Sequence, residues 1–178
     1  MEKQMKTIKK PNENEFQVNE PYVAELIPGD GRLLDHLATN FQNTKAFIRS
    51  LPVEKLTYRY AENKWSIKEL IIHMIDMERI YAYRMLRFAR NDQTILPGFN
   101  DEQYVLYSDA NKREISDLLN EFEAVRYSTI ALLNGLTDEA LLRSGIMNNN
   151  PVSVRALAYH IAGHELHHIY IIKERYLA

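Results

Sequence analysis

An all-α four-helix bundle with an extended N-terminal arm is the fold this sequence predicts. Three observations carry it. Four long segments repeat apolar residues at three- and four-residue spacing, breaker residues fall between them, and no segment sustains alternate-residue patterning. At 178 residues the chain has room for one well-packed domain and is short for two. Its 46% hydrophobic and 26% charged residues are those of an ordinary soluble protein.

Residues 1–30 are polar and carry Pro11, Pro21, Pro28 and Gly29, with Gly31 just after, so they read as an arm lying across the surface, with Tyr22, Val23 and Leu26 as its anchors. The remainder, 31–178, reads as the bundle domain, with no internal repeat and no strong linker. From residue 32, Leu33, Leu34, Leu37, Phe41, Phe47 and Ile48 mark one face of a first helix, which Leu51-Pro52 ends. Ser66-Ile67-Lys68-Glu69 is a capping box that opens the second helix, and Leu70, Ile71, Met74, Met77, Tyr81, Met85 and Phe88 form its stripe. Pro97-Gly98 places a loop over 91–100. Ile115, Leu118, Leu119, Phe122, Val125, Ile130 and Leu133 predict a third helix over 109–134, closed by Gly135. Thr137 to Leu142 reads as a short helical turn, and Asn148-Asn149-Asn150 as a break. Pro151 then suits the first position of a last helix, whose stripe is Val154, Leu157, Ile161, His164, His168 and Ile171 or Ile172.

Composition excludes several functions. There is no cysteine, which removes disulfide scaffolds, thiolate metal sites and any catalytic thiol of the chain's own. Lys and Arg total 22 against 24 Asp and Glu, a net charge of −2 that argues against a nucleic-acid binder. No apolar run is long enough to span a membrane, and the first residues, Met1-Glu2-Lys3-Gln4, lead into no apolar segment. The expected compartment is the cytoplasm.

The histidines are where chemistry concentrates. Of six, four fall on the last helix: His160, His164, His167 and His168. Residues four apart on a helix point the same way, so His164 and His168 share the apolar stripe and can serve one metal ion. His73, between Leu70 and Met77, points inward from the second helix and is the natural third donor. Two histidines from one helix and one from another leave coordination positions open, the layout of a catalytic site. The pair His160 and His164 has the same spacing and stays open on this reading. A lone inward histidine is commonly a core residue with a hydrogen-bond partner, but two together on a buried stripe are costly without a shared partner. His164-Glu165-Leu166-His167-His168 also matches the H-E-x-x-H protease motif. Its extension fails, because Ile171 and Glu174 stand where Gly and His belong. Asp76, three residues after His73, can orient that ring or sit on the surface. His36 reads as an edge residue, and the arginines Arg79, Arg84, Arg87 and Arg90 complement the dipole at the end of the second helix.

The segment Lys64-Trp65-Ser66, Lys68-Glu69, His73, Asp76, Glu78-Arg79 and Tyr83-Arg84, with Leu96-Pro97-Gly98-Phe99, resembles the DinB-like superfamily. So does the closing stretch Val154-Arg155-Ala156-Leu157, Ala162-Gly163-His164-Glu165, His168 and Lys173-Glu174-Arg175-Tyr176. The resemblance covers nearly everything after residue 20. It implies a bundle of the DinB/YfiT-like type with up-down-down-up connectivity, one long crossover, and a divalent metal on His73, His164 and His168. Zinc is the first expectation and nickel the second, since imidazole suits both. The family is similar in architecture to transferases and isomerases that use bacillithiol, mycothiol or glutathione, and its members commonly form homodimers.

The leading expectation is therefore a metal-dependent S-transferase that activates a low-molecular-weight thiol such as bacillithiol for attack on a small-molecule substrate. The runner-up is a metal-dependent hydrolase using a metal-bound water, with Glu165 or Asp76 as catalytic residues. The third is a non-catalytic dimeric metal-binding bundle. No nucleic acid and no membrane are expected as partners.

Overall fold

Four long amphipathic segments fold into four long helices in a computed structural model that describes residues 5–15 and 21–177. They are α1 (Leu33–Ser50), α2 (Ile67–Ala89), α4 (Ile115–Asn134) and α6 (Val154–Ile171). Two short helices, α3 (Asp101–Leu106) and α5 (Asp138–Leu142), and one hairpin, β1 (Ser144–Met147) with β2 (Asn150–Ser153), fill the connections. The capping box forms as the sequence predicts: Ser66 Oγ accepts from the Glu69 N–H at 3.2 Å, and the Glu69 carboxylate accepts from the Ser66 N–H at 2.7 Å. That cap fixes where α2 begins, and hence where His73 stands.

Three expectations need correction. The third long helix starts at Ile115, not near 109. Asp109 adopts a left-handed conformation (φ 52°), a single tight turn follows over Ala110–Lys112, and Arg113 and Glu114 are extended, so the helical ladder begins only after them. The Asn148–Asn150 break is the turn of an antiparallel hairpin, with Ile146 opposite Pro151 and Met147 opposite Asn150. Asn148 and Asn149 both take positive φ (49° and 63°), the conformation a two-residue hairpin turn demands and asparagine tolerates. Pro151 therefore lies in a strand, and Ser153 caps α6 by accepting from the Ala156 N–H at 3.1 Å. In the arm, Leu26 is exposed rather than an anchor, and the side chains of Tyr22 and Val23 lie outside the described residues. Ile8, Ala24 and Ile27 are buried instead, Ala24 and Ile27 being one tight turn apart. Glu15 ties the arm to the start of α6, accepting from Ser153 Oγ (2.8 Å) and Arg155 Nε (2.7 Å).

Both α1 and α2 pack against α4 and α6, so α1 lies diagonal to α2 and α4 diagonal to α6, while α2 and α4 are direct neighbours. Contacts give the directions. Leu37 meets Arg126 while Lys45 meets Glu123, so α1 and α4 are antiparallel. His73 meets His164 while Tyr81 meets His160, so α2 and α6 are antiparallel as well. Lys68 meets Arg113 while Glu78 meets Arg126, which makes α2 and α4 parallel. The order is up-down-down-up, and the chain between α2 and α4 must return the length of the bundle.

The apolar core is in two clusters. One gathers Leu33, Leu34 and Leu37 with Met85, Phe88, Leu157 and Ile161; the other gathers Phe41, Ile48, Ile71, Ile75, Leu119, Phe122 and Ile172. Between them lies a buried polar layer: His73 and Glu78 from α2, Arg126 and Thr129 from α4, and His160, His164, Glu165 and His168 from α6. Such burial is costly unless each polar group finds a partner, so this layer is where function is to be sought. No helix among the described residues is long and apolar enough to cross a membrane.

Candidate metal centre

His73 comes to the layer from the second turn of α2, and His164 and His168 from one face of α6. Their ring nitrogens converge. The Nε2 atoms of His73 and His164 are 3.2 Å apart and those of His168 and His164 3.0 Å, with all three residues offering a ligand atom within 4.8 Å of the others. Hydrogen bonding does not account for this. A neutral imidazole nitrogen carries either one hydrogen or one lone pair, so His164 Nε2 can make one good bond in the ring plane, not two. A shared cation satisfies all three lone pairs. With metal–nitrogen bonds of about 2.0–2.1 Å, neighbouring donors stand about 2.8–3.4 Å apart in octahedral or tetrahedral sites, which these spacings fit.

Burial prepares the donors. It lowers His73 to about 4, against a weaker upward pull from the Asp101 carboxylate. Burial pushes His164 and His168 well below the usual histidine value, helped by the neighbouring imidazoles. All three are neutral at pH 7 and present lone pairs to an ion. Of the two pairs that spacing allows, His164 with His168 belongs to the converging set found among the described residues, and His160 does not. The His160 ring stacks 5.7 Å from that of His164, beside Tyr81.

The imidazoles border a cavity of about 400 Å³. Trp65, Met77, Tyr81 and Phe99 give it apolar walls, and Asp101, Met147, Asn148 and Asn150 line it from the crossover and the hairpin. The hairpin and crossover are held together by the Leu96 N–H donating to Ile146 O (3.0 Å) and by close approach of Asn148 Oδ1 to Gly98, where any Cβ would collide. Arg84, buried between the Tyr81 and Phe99 rings, donates to Pro97 O at 2.8 Å and so holds that wall against α2. This arginine does more than answer a helix dipole.

Asp76 and Glu165 are placed elsewhere. Asp76 faces an open groove with Gln103, Tyr104 and Tyr107, and its nearest cation is Arg79 at 3.9 Å. Glu165 is buried, and its Oε2 accepts from Arg126 Nη1 at 2.7 Å beside a small separate void. Neither lines the cavity. Sequence reasoning missed Asp101, Glu78 and Arg126. The last two carried a signal: Glu78 lies four residues after Met74, and Arg126 four after Phe122, so both charges fall on apolar stripes. Asp101 carried none, because only the path of the crossover brings it to the site.

The DinB superfamily profile matches residues 36–172. This chain belongs to the DinB superfamily. Its relatives within and around that superfamily include a protein of Oceanobacillus iheyensis named as a candidate metal-dependent hydrolase. The two are 29% identical over 128 residues, covering 71% of this chain and 73% of the relative. Among solved structures, YfiT of Bacillus subtilis, described as a probable metal-dependent hydrolase with an unusual four-helix bundle topology, aligns over 93% of this chain and 90% of its own, with a TM-score of 0.71 at 16% identity. The mycothiol-dependent maleylpyruvate isomerase aligns over 83% of this chain and 61% of its own, with a TM-score of 0.66 at 10% identity. At these identities the structural matches establish the fold alone, a four-helix bundle.

Proposed function

We propose that this protein is a metal-dependent enzyme in which His73, His164 and His168 hold a divalent ion, zinc first and nickel second, to activate a low-molecular-weight thiol for transfer to a small electrophile. The observation that carries it is the convergence of three neutral imidazoles on a cavity of organic-molecule size in a chain without cysteine. When bound, the ion supplies uncompensated positive charge that lowers the pKa of a thiol or a water. The chain's own residues do the rest. Trp65, Tyr81 and Phe99 offer apolar surface to a carbon skeleton and keep bulk water away, while the Asn148 and Asn150 side chains offer hydrogen bonds that orient it. No Ser, Thr or Lys is among the described residues that line the cavity, which favours a nucleophile from a co-substrate or water. The thiol dependence of a fold neighbour, the maleylpyruvate isomerase, supports this reading.

A second reading is hydrolysis, and Asp101 is the observation that favours it. It is the carboxylate on the cavity wall, placed to take a proton from a water where Glu165 and Asp76 are not. The name of the Oceanobacillus relative supports the same chemistry. The test is turnover by the metal-loaded protein. Bacillithiol, glutathione and cysteine are each offered with an alkylating electrophile, and ester, amide and phosphoester substrates are offered without thiol. Metal-dependent conjugation lost in His164→Ala supports S-transfer. Thiol-independent hydrolysis lost in Asp101→Asn supports the second reading, and no metal-dependent turnover of either kind rejects both.

A further inference from the structure

Beside His164 the polar layer contains a second cluster with no part in holding an ion. The Arg126 guanidinium, buried to 1% exposure, donates from Nε to both Glu78 oxygens (3.0 and 3.1 Å) and from Nη2 to Glu78 Oε2 (2.8 Å). Its Nη1 donates to Glu165 Oε2 (2.7 Å) and to Leu37 O (2.8 Å), and the group packs against the Phe122 ring. One side chain thus touches α1, α2, α4 and α6 at a single level. Glu78 lies five residues after His73 on α2, and Glu165 is adjacent to His164 on α6.

We propose that Arg126 is a positioning residue for the three-His site, setting the register of α2 against α6 that brings His73 to His164 and His168. The proposal rests on reading those histidines as metal ligands. Its physical basis is a contrast in directionality. Apolar side chains attract without direction and tolerate sliding, whereas a planar guanidinium bonded to two carboxylates and a carbonyl fixes both distance and angle. A slip of one helical turn displaces α2 by about 5.4 Å, more than the 3.2 Å that separates the His73 and His164 nitrogens. Buried ion pairs are best attested in this register-setting role, and replacing all partners by apolar groups is often tolerated by the fold.

That tolerance provides the experiment. The triple variant Glu78→Leu, Arg126→Met and Glu165→Leu removes the cluster without leaving a buried charge. The variant Arg126→Lys keeps the charge and loses the fork. Metal-free stability is measured by urea unfolding, and Co²⁺ is the probe, read by calorimetric affinity and by its visible spectrum. Both variants are expected to fold, to bind Co²⁺ about 10–100-fold more weakly than wild type, and to show an altered spectrum, which a loss of stability alone does not produce. Wild-type affinity and spectrum in either folded variant overturn the proposal, and Arg126→Lys decides it alone if the triple variant fails to fold. Absence of Co²⁺ binding by the wild-type protein is a different result: it rejects the metal reading itself.

Discussion

Two polar clusters sit side by side in the middle of this bundle, both buried and oppositely resolved. Around Arg126, a cation pairs with two carboxylates through short bonds reaching all four long helices, and of the carboxylate oxygens only Glu165 Oε1 has no hydrogen-bond partner among the described residues. Around His164, three neutral rings crowd their lone pairs together with no internal donor able to serve them all. A buried polar group needs a partner. The first cluster brings its own partners, and on the proposed reading the second takes one from outside.

The largest effect breaks the ion-paired cluster. Arg126→Met leaves Glu78 and Glu165 buried without their cation, and stability is expected to fall by about 3–5 kcal/mol, measured by urea unfolding of metal-free protein. A cost near zero contradicts the view that the cluster is internally paired. The next effect lies on the other cluster. Free Zn²⁺ at about a hundredfold above its Kd is expected to stabilise wild type by about 2.7 kcal/mol. The same addition leaves His73→Ala unchanged by calorimetry.

A third variant sharpens the contrast by disturbing neither. Gly145→Ala in β1 drives a Cβ to 2.1 Å from the buried Phe88 ring. It is expected to cost about 1–3 kcal/mol of stability and leave metal binding intact, so a metal defect there extends the site to the hairpin strands. The smallest effect concerns the arm. Hydrogen bonds from Arg155 hold Glu15 down to about 2, from an ordinary value of 4.5. A lowered carboxyl pKa contributes stability in full above pH 4.5, and that contribution is lost as the pH falls toward 2. The stability gap between wild type and Glu15→Gln is therefore expected to close over that range in unfolding curves taken at successive pH values.

What the sequence disclosed follows from the range of the interactions involved. Helices announce themselves through periodicity and caps, so Ser66, Leu51-Pro52 and the four stripes were legible residue by residue. His164 and His168 were legible for the same reason, being four apart on one stripe. The hairpin was not, because four-residue strands are too short to show alternation, and its two positive-φ asparagines read only as a break. Asp101 was hidden because a crossover loop brings it to the imidazoles, and nothing local records that path. Glu78 and Arg126 were half-hidden. Their places on apolar stripes marked them as anomalous, but which charge answered which depended on how the long helices pack side by side, which no local pattern records.

Metal content per chain tests the central claim most directly. Elemental analysis of protein purified without added metal, and again after reconstitution, is made on wild type and on His73→Ala, His164→Ala and His168→Ala. About one zinc or nickel per chain in wild type, lost in each variant, is the expected result. Wild type that stays metal-free after reconstitution contradicts the account, and returns these three histidines to the core.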